Sequence, residues 1–125
     1  RRVREAGCPN MASMVDLCHV PLMHETIQQA FEDTGDYLGH IHLGTCVVDR
    51  ESPYYGDKHP GFGIPGGVYG IEDFAEAFRI ALSRGYFNRD NRGSMSIEMR
   101  TLPGKPSEES LDSYYDAVCR AWELI

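Results

Sequence analysis

The stretch YLGHIHLG, Tyr37–Gly44, places two histidines two residues apart in a run with the period of a β-strand. In an extended chain successive side chains point to opposite faces, so His40 and His42 share one face and Ile41 and Leu43 the other. A strand with one greasy side packs that side on helices. The paired imidazoles then raise the question of what lies across from them.

Reading outward, the chain is a succession of strand-then-helix units. A strand is expected over Ala12–Leu17. A helix follows over Ile27–Leu38, opened by Thr26 and Gln29 as a capping box, with Ile27, Ala30, Phe31 and Leu38 on one face. The histidine strand spans His40–Val48. The second helix, Ile71–Arg84, carries the clearest helical period: Ile71, Phe74, Ala75, Phe78, Ala81 and Leu82, with Gly85 as its stop. The third strand is Ser94–Met99. The last helix would bury Leu111, Tyr114, Tyr115, Val118, Trp122 and Ile125. Alternating β and α predict an α/β fold with a parallel sheet and outer helices.

The strand faces can be compared. Val15 and Leu17 lie opposite Met14 and Asp16; Met95, Ile97 and Met99 lie opposite Ser94, Ser96 and Glu98. Parallel strands end at one edge, so Asp16, His42 and Glu98 are expected to converge there, the edge where α/β barrels keep their chemistry. Isolated ionisable groups inside a barrel are costly, and a shared cation compensates them. Two carboxylates and an imidazole suit a divalent metal, with a lean to Mn²⁺ or Zn²⁺ over Mg²⁺ or Co²⁺.

A second layer surrounds this set. His19 lies three residues after Asp16, just past the strand end, and Asp57 and His59 form D-x-H in a long Gly- and Pro-rich loop, the kind that is usually functional or disordered. His40, one pleat deeper than His42, reads as a barrel-filling or supporting histidine. Lys58 and Arg100 are candidate anion contacts. FGIPGGVYG, 62–70, lacks the Lys-Ser/Thr of a phosphate loop and reads as a close-approach loop at the pocket mouth. Cys18 and Cys46 read as packing residues rather than nucleophiles.

The totals bound these readings. The chain has 125 residues, enough for one core, with 42% hydrophobic and 25% charged residues. A net charge of −7 argues against non-specific nucleic-acid binding. No apolar run reaches the roughly 18–20 residues that cross a bilayer. The basic start, RRVREAG, is followed by no apolar stretch and reads as the tail of a helix rather than a signal peptide. With no initiator methionine, the chain is expected to be part of a longer polypeptide. Four scattered cysteines form no C-x-x-C, so reduced thiols in the cytoplasm are expected.

MVDLCH, YLGHIHLGTC, GDKHPGFGIPGG and SIEMR, in that order, resemble the C-terminal half of the xylose-isomerase-like TIM barrels. That superfamily includes sugar phosphate isomerases and epimerases, ketose 3-epimerases and endonuclease-IV-type AP endonucleases. The resemblance implies that residues 1–125 form the C-terminal part of a (β/α)8 barrel, about three βα units. It implies a metal held by Asp16, His42 and Glu98, with Glu98 also the proton-transfer base. His19 would contact substrate in epimerases or a second metal in the nuclease branch. Asp57 and His59 match that branch's pair of metal ligands. Another glutamate ligand and a second base would lie upstream of Arg1. The activity implied is metal-dependent isomerisation or epimerisation of a small sugar or sugar phosphate. The alternatives are a metal-dependent phosphodiesterase, or a partial barrel that either has no independent function or must dimerise to close its sheet.

Overall fold

The apolar and polar alternation of the three strand segments becomes a parallel sheet in the order β1 (Ser13–Asp16), β2 (Leu38–Leu43), β3 (Met95–Ile97). The computed structural model describes residues 5, 7, 8, 10–90 and 93–125. The N-terminal helix tail expected over RRVREAG lies mostly outside them. The register sets Asp16 beside His42 and His42 beside Ser96, so the polar face is level across all three strands. The ladder runs on past the strand ends: Leu17 N donates to His42 O (3.1 Å) and Glu98 N donates to Leu43 O (2.9 Å). One irregularity between Ser13 and Met14 leaves Gly39 as the extra residue of a bulge. A Cβ on Gly39 would collide with the Ala12 side chain.

The opposite face makes the core. Val15, Leu17, Ile41 and Leu43 pack against Ile27, Phe31, Phe74 and Phe78, all buried. Helix α1 (Ile27–Thr34) opens with the expected box: Thr26 Oγ1 accepts from Gln29 N (3.2 Å) and Gln29 Oε1 from Thr26 N (2.8 Å). Such a cap contributes about 1 kcal/mol. The helix ends four residues before the expected Leu38. Gly35, at φ +55, leaves the helical path, a 3-10 turn over Gly35–Tyr37 follows, and Leu38 begins β2 opposite Ser13.

Helix α2 (Ile71–Ser83) buries Phe74, Ala75, Ala77, Phe78 and Ala81. Asp73 Oδ2 accepts from Gly70 N (2.7 Å) at its start. Leu82, expected in the buried stripe, sits on the exposed rim. Helix α3 (Ser107–Trp122) departs further from expectation. Its buried face is Ser110, Tyr114, Ala117, Val118 and Ala121, whereas Leu111 and Tyr115 are 57% and 66% exposed. Small residues let α3 approach α2 closely, which turns the bulkier stripe outward. Trp122 and Ile125 are also partly exposed, although Trp122 covers the core's rim against Phe78 and Phe87. Strands β1 and β3 each have one unpaired side among the described residues. No helix among these residues is long and apolar enough to cross a membrane.

Candidate functional site

Three side chains from the polar face meet at the C-terminal edge of the sheet. One ligand atom each of Asp16, His42 and Glu98 lies within 4.8 Å of the others. Asp16 is anchored by its own turn: Oδ1 accepts from Cys18 N (2.9 Å), which leaves Oδ2 facing His42 Nδ1 at 3.7 Å. Glu98 Oε2 lies against His42 Nδ1 from the other side. His42 Nδ1 and Glu98 Oε2 are both buried, and neither makes a hydrogen bond beyond their ion pair with each other. A buried polar atom without a partner is costly. Two of them facing each other beside a carboxylate oxygen form a donor set that fits a divalent cation.

His40 lies directly below. Its ring meets the His42 ring edge to face, centroids 5.0 Å apart. Both of its nitrogens have partners: Nδ1 pairs with Ser94 Oγ just before β3 (2.7 Å) and Nε2 with Ser96 Oγ on it (3.0 Å). His40 is therefore a half-buried, hydrogen-bonded residue that backs His42. The two serines were not singled out from the sequence, although their alternation with Met95 and Ile97 puts them on the histidine face.

The long loop after β2 folds back over this edge. Arg100 N donates to His59 O (2.8 Å), which pins the loop to the end of β3. His59 adopts φ +45, an uncommon conformation for a residue with a side chain. Its ring is placed with Nε2 2.8 Å from Asp57 Oδ1 and Nδ1 3.2 Å from Glu98 O. His19 reaches the same mouth, 3.4 Å from Asp16 Oδ2 and 3.5 Å from Asp57 Oδ1. His19, Asp57 and His59 thus form a second group of ligand atoms within 4.8 Å, next to the first. Arg100 stands apart from both, with Lys58, at a neighbouring cavity.

Cys18 and Cys46 floor the site and are fully buried. Burial first, then the Asp16 charge, pushes the Cys18 thiol up to about 12 and the Cys46 thiol up to about 11. Cys18 Sγ donates to Thr45 O, so its proton is already engaged. The Cys18 amide anchors Asp16, and its sulfur also lies within 4.8 Å of ligand atoms of Asp16 and His59. Gly44 lets β2 and the end of β3 pass closely here, since a Cβ would stand 3.0 Å from Glu98 O.

No protein-family model matches the chain, and no curated protein matches it in sequence. Solved structures match its fold. An L-ribulose 3-epimerase superposes with a TM-score of 0.51 at 18% identity, covering 95% of this chain and 35% of the epimerase. A D-allulose 3-epimerase from Methylomonas sp., in complex with D-allulose, superposes with a TM-score of 0.51 at 21% identity, covering 95% of this chain and 36% of the enzyme. The chain therefore spans about a third of the length of these epimerases. Three parallel strands, helices on one face and polar groups at the C-terminal edge are the fold of part of a TIM barrel.

Proposed function

We propose that this chain is the C-terminal part of a metal-dependent sugar isomerase or epimerase. The observation that carries the reading is the meeting of Asp16 Oδ2, His42 Nδ1 and Glu98 Oε2, two of them buried without hydrogen bonds. These three residues would hold the cation, and the sequence resemblance to epimerase barrels supports the same set. A divalent cation bound there supplies Lewis-acid polarisation of a substrate carbonyl and its neighbouring hydroxyl.

The chain's own residues do the rest. Glu98, the most exposed of the three at 44% of its side chain, takes the proton from the carbon next to the carbonyl as general base. Asp16 is held by the Cys18 amide, and His42 is backed by His40, so both keep their aim. His19, Asp57 and His59 line the mouth and bind substrate hydroxyls. Glu98→Gln is the test. It should abolish deuterium uptake from D2O next to the carbonyl of a ketohexose. Retained exchange would remove Glu98 as the base.

A second reading, a metal-dependent phosphodiesterase, is favoured by one observation: the adjacent group of His19, Asp57 and His59. Metal content separates the two. One equivalent per chain supports the isomerase, and two or three support the phosphodiesterase.

A further inference from the structure

Proton transfer at Glu98 leaves the Cys18 sulfur unused. That sulfur lies within 4.8 Å of ligand atoms of Asp16 and His59, a third group beside the two already described. Three kinds of donor meet there: a thiol, an imidazole and a carboxylate. Asp16 and Cys18 are neighbours in the chain, but His59 is not. It arrives because the loop after β2 folds back, pinned by Arg100 N donating to His59 O (2.8 Å), with His59 itself at φ +45.

The donors are held in place. Asp16 Oδ1 accepts from Cys18 N (2.9 Å), a two-residue turn that ties the carboxylate to the cysteine backbone. Cys18 is fully buried, its S–H engaged by Thr45 O, and the His59 backbone amide faces its sulfur. The side chains of Asp16 and His59 are only 11% and 19% exposed. An open cavity of about 430 Å³, lined by Asp16 and His19, gives an ion a way in. Zinc bonds a thiolate at about 2.3 Å and an imidazole at about 2.0–2.1 Å, so ligand atoms around one ion stand roughly 3–4 Å apart. Donors within 4.8 Å reach that spacing by side-chain turns.

Donor softness then decides which ion fits. The set of Asp16, His42 and Glu98 offers nitrogen and oxygen alone and accepts Mn²⁺ or Mg²⁺. A thiolate favours Zn²⁺ and Cd²⁺ and discriminates against Mg²⁺. Binding forms a sulfur–metal bond, and the thiol proton passes to solvent.

We propose that Cys18, His59 and Asp16 form a second cation site, selective for thiophilic ions of the Zn²⁺ and Cd²⁺ class, which shares Asp16 with the neighbouring centre. It stands whether or not that centre performs proton transfer. The test is titration of the reduced chain with Cd²⁺, read by the ultraviolet charge-transfer absorbance of a thiolate–cadmium bond. Cys8 and Cys119 are partly exposed, so C8S/C119S protein is used. The band should appear and should persist in excess Mg²⁺. C18S should abolish it. H59Q should weaken Cd²⁺ binding at least about tenfold, since loss of a merely supporting residue already costs that much. E98Q, which removes a ligand of the neighbouring centre, should leave the band in place. Circular dichroism checks that each variant is folded. A band kept in folded C18S, lost with E98Q or suppressed by Mg²⁺ would overturn the site. So would its absence from the C8S/C119S protein, the result expected if His19, Asp57 and His59 took the ion instead. Should C18S fail to fold, H59Q decides, and unchanged Cd²⁺ affinity there overturns the site. A Zn²⁺ count includes this site and a Mn²⁺ count does not, so equivalents at the neighbouring centre are counted with Mn²⁺.

Discussion

His40 and His42 stand on the same face of the same strand, rings 5.0 Å apart, and their surroundings give them opposite roles. His40 has a serine hydroxyl at each nitrogen. His42 faces two carboxylates and leaves a buried nitrogen without a hydrogen bond. One pleat, about 6–7 Å along a strand, separates a finished hydrogen-bond network from one that requires something further. Identical side chains on one face thus take their roles from what the neighbouring strands present at each level.

The contrast can be broken most directly at His42. His42→Ala should lower divalent-metal affinity by more than about 100-fold, beyond what loss of a supporting residue costs, while the melting temperature of the metal-free protein holds or rises. Calorimetric titration with Mn²⁺ or Zn²⁺ reads the first and thermal melting the second. His40→Ala should do the reverse. Losing two hydrogen bonds should destabilise the fold by about 1–3 kcal/mol, with metal affinity reduced no more than about 10–100-fold. If His40→Ala costs more metal affinity than His42→Ala, the assignment of roles is inverted.

Alkaline unfolding sharpens the comparison from below, at the thiols that floor the site. Cys18 and Cys46 have folded values of about 12 and about 11 against an ordinary 9.0. The unfolded chain releases these protons first, so it binds fewer protons than the native state above pH 9, and stability falls as pH rises. The contribution is complete below pH 9 and lost through pH 11–12. Urea melts between pH 8 and 11 should show the decline, and Cys46→Ala should flatten it. The smallest effect is expected at Ser96→Ala, which removes one partner of His40 and should cost about 0.5–1.5 kcal/mol, with metal affinity within a fewfold of wild type.

Much of this was legible from residue order. Alternation placed three strands and identified their polar faces, and an i, i+3, i+4 pattern found α2. The bounds were less secure. Leu38 fits the apolar face of a lengthened α1, yet Gly35 ends the helix and Leu38 starts the next strand. In α3 two adjacent stripes compete: Leu111, Tyr115 and Trp122, or Ser110, Tyr114, Ala117 and Ala121. Hydrophobicity favours the first. Close approach to α2 selects the second, because small side chains permit a shorter interhelical distance. The rejected stripe leaves Leu111 and Tyr115 beside the outer residues Met95 and Ile97 of β3, along a groove of about 330 Å³.

Local order therefore decided which side chains share a face, since that depends only on the two-residue period of a strand and the 3.6-residue period of a helix. It placed Asp16, His42 and Glu98 as candidates for one edge. Tertiary structure alone decided their distances, turned His59 and Asp57 in over His19, and separated His40 from His42. Those outcomes depend on strand register and on a loop of more than twenty residues folding back to bond at Arg100. Contacts between residues distant in the chain carry no local signature, so only the folded backbone can supply them.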